Sequence, residues 1–173
     1  MNEMTVREFS KGTSGSDAEA FRRLNEEWIT RYFVLEKKDV EALSDPEGTI
    51  LAAGGRIFFA VREGEIVGCC ALMAMGNAEF EVAKMAVTEK AQGSGIGRRL
   101  LETVVAEARM AGARRLYLET NSKLTPAIRL YESVGFRDVP SERVVASPYA
   151  RANVYMEISL GEEKHEWATD GRG

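Results

Sequence analysis

Three glycines and two arginines stand together in mid-chain, in the segment Gln92-Gly-Ser-Gly-Ile-Gly97-Arg98-Arg99. Glycine lets backbone N–H groups turn toward an anion, and a helix that begins after such a loop adds the positive end of its dipole. Cations in the first turn of a helix are unfavourable by about 0.3–1 kcal/mol each unless an anion offsets them. The segment therefore indicates a site for phosphate or pyrophosphate, although a tight turn with solvated arginines would have the same glycine spacing.

The spacing Gly93-x-Gly95-x-Gly97 also approaches the fingerprint of dinucleotide-binding proteins, with Glu119 about where a ribose-binding acid would lie. The third glycine comes one residue early, because the fingerprint requires it at position 98, which is Arg. The strand pattern before the loop is half polar, and the loop follows a hairpin in mid-chain rather than opening a βαβ unit. These departures disfavour a nicotinamide cofactor.

The elements that must position the loop follow from the hydrophobic pattern. We expect strands at about 5–9, 56–61, 66–75, 79–87, 115–119, 136–139 and 152–160. We expect helices at about 16–32, 38–43, 98–111 and 126–134, of which the third has the clearest amphipathic pattern. The strand before the loop carries Glu79, Glu81 and Lys84, which distinguishes it from a fully buried parallel strand. This order predicts a mixed α/β sheet with helices on its faces.

The chain of 173 residues suits one domain, which we place at 1–161, followed by a polar and mobile tail at 162–173. A net charge of −4 argues against a nucleic-acid partner, because phosphate binding needs clustered Lys and Arg. The N-terminus has no apolar signal segment, and the longest apolar run, Ile66–Met75, is too short to span a bilayer. We therefore expect a cytoplasmic protein with no membrane partner.

Cysteine and histidine are too few to suggest metal or disulfide chemistry. The two cysteines, Cys69 and Cys70, are adjacent in an apolar run and are interpreted as core residues of a strand. His165 is the single histidine and falls in the predicted tail. We therefore expect neither a disulfide nor a catalytic metal.

Further motifs lie at fixed distances on either side of the glycine loop: Lys84-Met-Ala-Val87, Asn121, Pro126-Ala127, Leu130-Tyr-Glu132 and Gly135-Phe136. Together with the loop they resemble motifs A and B of the GNAT superfamily of N-acetyltransferases, and the match in element order covers about residues 5–160. Two more stretches, Phe21-x-x-Leu24-Asn25-x-x-Trp28 and Lys123–Ala127, are similar to a bacterial subgroup of this superfamily. In that subgroup the domain occurs alone or fused behind a MarR-type regulator, and no such DNA-binding domain is expected here.

The resemblance implies a single-domain GNAT-like α/β fold, with a mostly antiparallel central sheet, helices on both faces, and acetyl-CoA as the acyl donor. The backbone of Met85, Ala86 and Val87 would pair with the pantetheine arm of the donor. The pyrophosphate would bind mostly main-chain N–H groups of the loop, namely those of Gln92, Gly93, Ser94, Gly95, Ile96, Gly97 and Arg98. Asn121 would hydrogen-bond the pantetheine amide or a water near it.

The resemblance also implies two catalytic side chains. Only about one alkylamine molecule in a thousand is unprotonated at pH 7, so transfer to an amine needs a base. Glu81 lies eleven residues before Gln92, where family members often carry this base, and Glu79 on the same strand face is the alternate. Tyr131 would face the thioester sulfur and donate a hydrogen bond as the thiolate leaves, or else would be a core residue of its helix.

Two functions of different classes follow from the sequence. One is an acetyl-CoA-dependent N-acetyltransferase that acts on a small-molecule amine, an amino acid or a protein amine, by direct attack with a general base. The other is a non-catalytic acyl-CoA-binding sensor or scaffold, which could have lost Glu81 or Tyr131. In the family the acceptor is recognised largely by the first two helices, here with Arg31–Phe33 and Glu36, and by the connection Ser147–Arg151. The acceptor is not identified by the sequence, and a homodimer is compatible with it.

Overall fold

Seven strands form one sheet in the computed structural model, which describes residues 3–11 and 15–161. They are β1 (Met4–Glu8), β2 (Arg56–Arg62), β3 (Glu65–Gly76), β4 (Glu79–Val87), β5 (Arg115–Thr120), β6 (Arg137–Asp138) and β7 (Val154–Ser159). Their spatial order is β1-β2-β3-β4-β5-β7-β6, and only β4 and β5 run parallel to each other. The predicted mixed, mostly antiparallel sheet is therefore confirmed, while the predicted tail with His165 lies outside the described residues.

Helices cover both faces of this sheet, as predicted: α1 (Ser16–Tyr32), α2 (Lys37–Ser44), α3 (Ile96–Met110) and α4 (Thr125–Val134). On one face α1 and α2 bury a core that includes Phe21 and Phe59. On the other face α3 and α4 pack over a second core that includes Leu100 and Leu116. None of the helices in the described part of the chain has the length and apolar composition needed to cross a membrane.

The two cysteines illustrate how β3 divides the two cores. Successive side chains of a strand point to opposite faces of the sheet, and Cys69 accordingly packs under α1 while Cys70 packs under α3. Both are fully buried and unbridged, as the sequence predicts. Burial raises the pKa of the Cys69 thiol to about 12. These thiols are therefore core groups without nucleophilic character.

β4 and β5 run parallel and pair with each other over three residues only. Glu79 is opposite Arg115, Phe80 opposite Leu116, and Glu81 opposite Tyr117, after which the two strands separate. A cleft opens where they part, at the carboxyl ends of two parallel strands, which is where open α/β sheets bind their ligands. The separation thus places Glu81 at the inner end of this cleft.

A β-bulge lies in β4 just beyond the point of separation. Cys69 pairs with Ala86 and Ala71 pairs with Ala83, so two residues of β4 lie opposite the single residue Cys70 of β3. One of these two is Lys84, whose φ of 52° is in the left-handed region that non-glycine residues seldom occupy. The bulge turns the Lys84 side chain toward α2, where it contacts Asp39. Strained backbone of this kind is concentrated at functional sites.

Candidate active site

The glycine loop forms an open turn that leads directly into α3. Gly93 and Gly95 have φ values of 81° and 80°, and a side-chain carbon added to either would contact nothing within 4 Å. Gly95 is the N-cap residue of α3, and no side chain caps this helix. The first N–H groups of a helix have no carbonyl one turn before them, so they face the open space above the loop with the positive end of the helix dipole. This arrangement fits an anion.

A groove of about 410 Å³ lies between this loop and the open side of β4, and we call it the outer groove. Its walls are mainly apolar, formed by the end of α1, the end of β4 and the first turns of α4, and include Trp28, Tyr32, Met85, Val87, Ala127 and Leu130. Gly97 lies at its base, where an added side-chain carbon would come within 3.6 Å of Leu130 and 3.7 Å of Met85. The groove suits an extended chain with an anionic end at the loop.

A second cavity of about 120 Å³ lies deeper in the cleft between β4 and β5, and we call it the inner cavity. Its lining is rich in charged and aromatic side chains, among them Trp28, Glu81, Lys84, Glu119, Tyr149 and Arg151. Trp28, Phe33, Met85, Leu124 and Tyr131 line both the inner cavity and the outer groove. The two spaces are therefore adjacent, and Tyr131 lies at their boundary.

Glu81 is a carboxyl of the inner cavity with a strongly raised pKa. Burial raises the pKa of its carboxyl, the nearby carboxyl of Glu119 raises it further, and Lys84 acts in the opposite direction, which leaves a pKa of about 7. A carboxyl with this pKa can exchange a proton reversibly near neutral pH, as a general base requires. Glu79, the alternate base, is not among the residues that line the inner cavity, and its carboxylate lies 3.9 Å from the Arg115 guanidinium.

A buried ionic network holds the far wall of the inner cavity. Asp39 of α2 is fully buried and accepts two hydrogen bonds of 2.7 Å from Arg151 and one of 2.8 Å from Lys84. The ring of Tyr149 lies between the two cations, 4.7 Å from the Lys84 ammonium and 4.6 Å from the Arg151 guanidinium carbon. Burial alone would raise the pKa of Asp39, but the hydrogen bonds from Arg151, Lys84 and the Glu36 backbone outweigh it and lower that pKa to about 2.

Comparison with known proteins agrees with this geometry. The family model for the acetyltransferase (GNAT) family matches residues 19–136, which is more than half of the chain. The chain belongs to the GNAT acetyltransferase family. Among its relatives is an IAA acetyltransferase from Azospirillum brasilense, which is 39% identical over 101 residues. That match covers 58% of this chain and 61% of the relative, so the chain spans less than two thirds of the relative's length.

Solved structures share the GNAT fold over nearly the full chain. A GNAT-family acetyltransferase from Staphylococcus aureus Mu50 superimposes with a TM-score of 0.79 at 21% identity, covering 91% of this chain and 99% of that one. The acetyltransferase yncA from Salmonella typhimurium, solved with its cofactor acetyl-CoA, gives a TM-score of 0.69 at 21% identity and covers 92% and 95%. At this identity the likeness concerns the fold, and the predicted fold class is confirmed by it.

Most of the site residues predicted from the GNAT resemblance lie together around the two spaces. Met85, Ala86, Val87, Gln92 and Gly97 line the outer groove, Glu81 and Asn121 line the inner cavity, and Tyr131 lines both. Gly93, Ser94, Gly95, Ile96 and Arg98 belong to the loop and the first turn of α3, and the side chain of Ile96 is buried in the core. Their roles toward a ligand stay predictions.

Several of these side chains have partners inside the protein. Gln92 donates to the Val87 carbonyl, and Arg98 donates to the Ser133 hydroxyl at 2.7 Å. Asn121 accepts from the Lys123 N–H, which closes a turn, and donates to the Arg151 carbonyl at 2.6 Å. Asn121 therefore positions the connection that carries Arg151, and one of its two amide N–H bonds remains for a ligand.

Two carboxyl groups in or beside the inner cavity are not indicated by the sequence. Asp39 was not anticipated, although its polar side chain stands on the apolar side of α2 with Ala42 and Leu43, all of them buried. Glu119 was considered only as a ribose-binding acid, yet it lines the inner cavity close enough to Glu81 to influence its ionisation. In the described part of the chain, no group of three or more His, Cys, Asp or Glu is arranged to hold a metal ion.

Proposed function

We propose that this GNAT-family chain is an acetyl-CoA-dependent N-acetyltransferase, in which an amine attacks the donor directly and Glu81 acts as the general base. The observation that carries the proposal is the position of Glu81, a buried carboxyl with a pKa of about 7, in the inner cavity that adjoins the outer groove at Tyr131. The donor would approach along one space and the acceptor along the other. Their reacting atoms would then meet at the boundary.

The outer groove and the loop are suited to acetyl-CoA. The uncapped N-terminus of α3 and the two left-handed glycines offer backbone N–H groups to a pyrophosphate, through residues 92–98. Beyond Glu81, β4 has no strand paired on its β5 side among the described residues, so the backbone of Met85, Ala86 and Val87 is available to the amides of the pantetheine arm. Acetyl-CoA bound there supplies the acyl group and a thiolate leaving group.

Glu81 would remove the proton that keeps the acceptor from acting as a nucleophile. An alkylammonium has no lone pair, and its pKa near 10.4 leaves about one molecule in a thousand reactive at pH 7. A carboxylate with a pKa of about 7 is a stronger base than an ordinary glutamate, and it is still mostly ionised at slightly alkaline pH. The raised pKa therefore suits Glu81 to the task.

Tyr131 would stabilise the departing thiolate through a hydrogen bond from its hydroxyl. Its side chain is partly buried, and desolvation raises the pKa of its phenol above the ordinary value, with a smaller effect from Cys70. A phenol that holds its proton so firmly is unsuited to complete proton transfer to a thiolate. We therefore assign Tyr131 as a hydrogen-bond donor whose contribution grows as charge develops on sulfur.

The proposal is tested by titrating the wild-type protein with acetyl-CoA in a calorimeter and by following release of the CoA thiol with a panel of amines and peptides. We expect donor binding in the micromolar range and turnover with at least one amine. Glu81→Gln should bind the donor with unchanged affinity and lose about 10²–10⁴-fold in kcat at pH 7, with recovery at higher pH. Glu65→Gln, which changes an exposed glutamate at the start of β3, is the matched control.

Donor binding without turnover on any acceptor would instead support the acyl-CoA sensor. Absence of donor binding would refute the proposal altogether. An identical pH–rate profile for Glu81→Gln and the wild type would move the base to another group. An amine as acceptor, a cytoplasmic location and a homodimer remain part of this proposal, and each is open to the corresponding measurement on the purified protein or in cells.

A further inference from the structure

One carboxyl oxygen of Glu119 is buried but has no hydrogen-bond partner. In the described part of the chain, Oε2 of Glu119 is the one side-chain nitrogen or oxygen that is buried without a hydrogen-bond partner. A buried carboxylate oxygen without a donor is costly, and native structures keep very few of them without a reason. Glu119 also lines the inner cavity, so a donor that enters this cavity is a candidate partner for its carboxylate.

The cationic side chains that line the inner cavity already form ion pairs with the carboxylates of α2 and its N-cap residue. Lys84 and Arg151 line the cavity, but both bind Asp39, and Arg151 also lies 3.2 Å from a Glu36 oxygen. Two positive charges are therefore matched by two negative ones within this network. Among the described residues that line the cavity, Glu81 and Glu119 are the carboxyls that form no ion pair with a Lys or Arg, so the cavity offers carboxyl oxygens to a ligand.

The other walls of the inner cavity are also suited to a cation. The rings of Trp28, Phe33 and Tyr149 line it, and aromatic faces attract ammonium groups. The space of about 120 Å³ is small enough to hold an amine and a short aliphatic stem, which would exclude water from the two carboxyls. The neighbours of Glu119 on β5 and β7 include Tyr117 and Tyr155, whose phenol groups are not cations.

We infer that Glu119 binds the acceptor as its ammonium ion and restricts the enzyme to amines that carry no carboxylate on the carbon next to the nitrogen. The inference rests on the proposed acetyltransferase function and names the acceptor class for it. The class comprises alkylamines and the amines of proteins, and it excludes free α-amino acids. A carboxylate next to the reacting nitrogen would lie against Glu119 and Glu81, and no unpaired cation of the inner cavity would offset it.

The proton and electron balance of the step is simple. The ammonium N–H donates first to Glu119 and Glu81, and one proton passes to the Glu81 carboxylate. The freed nitrogen lone pair forms a bond to the thioester carbonyl carbon, and the bond from that carbon to sulfur breaks. The sulfur leaves as a thiolate, and the second proton on nitrogen is released as the amide forms. Glu119 keeps its charge throughout and thus acts as a binding group.

The test compares acceptors that differ by one carboxylate. n-Butylamine and norvaline share the same carbon chain, and norvaline amide keeps the added bulk without the negative charge. For the wild type we expect kcat/KM for n-butylamine to exceed that for norvaline by at least about 100-fold, with norvaline amide close to n-butylamine. A wild type that acetylates norvaline as well as n-butylamine would overturn the inference.

Glu119→Gln keeps the shape of the side chain and removes its charge. We expect the KM for n-butylamine to rise about 10–100-fold, with a smaller change in kcat, and the ratio of n-butylamine to norvaline to fall at least tenfold. Glu119→Asp should recover part of the loss, and Glu65→Gln should leave both values unchanged. Unaltered acceptor selectivity in Glu119→Gln would overturn the inference.

Two further measurements separate this inference from the proposed function. Acetyl-CoA affinity of Glu119→Gln should equal that of the wild type, and its melting temperature should be equal or higher, because an unpartnered buried charge has been removed. Loss of the fold in Glu119→Gln would show a structural role and overturn the inference. If the wild type binds acetyl-CoA and acetylates only α-amino acids, the proposed function stands and this inference fails; if it does not bind acetyl-CoA, both fail.

Discussion

The outer groove and the inner cavity share a wall but are built in different ways. The groove has mainly apolar walls, and its polar groups at the loop are backbone N–H groups placed by Gly93, Gly95 and the start of α3. The cavity is surrounded by ionisable side chains that come from α2, β4, β5 and the connection before β7. In the proposed function, one space would recognise its ligand through the backbone of a short local segment, and the other through side chains from distant parts of the sequence.

The difference indicates how each space would respond to substitutions of its lining residues. Backbone donors keep their positions when side chains change, so the groove suits a ligand common to a whole family. Side-chain charges in a small buried space depend on one another, so one substitution there changes the ionisation and position of several groups. We therefore expect mutations around the cavity to alter stability, pH dependence and acceptor choice, and mutations at the loop to alter donor affinity alone.

The largest effect is expected for Asp39→Asn. This change leaves Lys84 and Arg151 without their shared carboxylate in a buried site, which typically costs about 3–5 kcal/mol. For a chain of this size, the melting temperature should fall by about 10 °C. Glu41→Gln is the control, because it breaks the exposed Lys37–Glu41 pair of the same helix and should shift the melting temperature by less than about 2 °C. Equal shifts in the two variants would contradict the assigned role of the network.

The next largest effect that we expect is a pH dependence of the free energy of unfolding, which is caused by Glu81. Its folded pKa of about 7 is higher than that of an unfolded glutamate, so the folded state retains a proton that the unfolded state has released between about pH 4.5 and 7. Stability should therefore fall as pH rises through this window, by about 3 kcal/mol from this group. Urea denaturation at pH 5 and pH 8 should show this loss in the wild type and a smaller one in Glu81→Gln. Parallel pH dependence in both proteins would mean that Glu81 has an ordinary pKa.

A third experiment tests the proposed acetyl-CoA site separately from the inner cavity. Gly95→Val places a β-branched residue at a φ of 80° and fills the open space above the loop, so acetyl-CoA affinity should fall at least about thirtyfold. Gly112→Val is a close control, because Gly112 has a φ of 82°, equally open surroundings, and a position at the opposite end of α3. Both variants should lose similar stability, and only Gly95→Val should lose donor affinity in calorimetric titration. Similar loss of affinity in both would point to general distortion of α3.

The smallest effect is expected at the boundary of the two spaces. Tyr131→Phe removes the hydroxyl and keeps the ring, including its edge-to-face contact with Phe136 at 6.1 Å. Because we propose that the phenol acts as a hydrogen-bond donor only, kcat should fall about tenfold, with little change in the KM for acetyl-CoA or in melting temperature. Wild-type turnover in this variant would leave Tyr131 as a core residue of α4.

The same contrast explains which features of the structure could be predicted from the sequence. Gly93, Gly95 and Gly97 are close together in sequence, and their role depends on local backbone conformation, so their spacing predicts the loop and the helix that follows. The seven strands and four helices follow from local hydrophobic patterns in the same way, within about two residues at most boundaries. The one-residue extension of β4 at Lys84 has no such local signal, because a bulge is defined by its pairing with β3.

The inner cavity could not be predicted from the sequence, because its residues come together only in the folded structure. Asp39 and Arg151 are 112 residues apart, and nothing in either local segment indicates that they meet. Glu119 follows an ordinary strand alternation, and only the separation of β4 from β5 makes it face a cavity beside Glu81 rather than a neighbouring strand. Charged residues at a strand end or on a short helix are usually solvated, so their burial is a property of the tertiary fold.

Lys84 is itself a primary amine that lines the inner cavity, and its ion pair with Asp39 would make it a poor acceptor in the proposed reaction. Its side chain is 5% exposed, and its nitrogen is held by Asp39 at 2.8 Å and by the Tyr149 hydroxyl at 3.2 Å. An ammonium kept in this salt bridge has no lone pair to present to a thioester. If acetyl transfer takes place beside the inner cavity as proposed, the bulge in β4 places a lysine near it in an ion pair that would resist self-acetylation. Peptide mapping by mass spectrometry after incubation with acetyl-CoA would detect any acetyl group on Lys84.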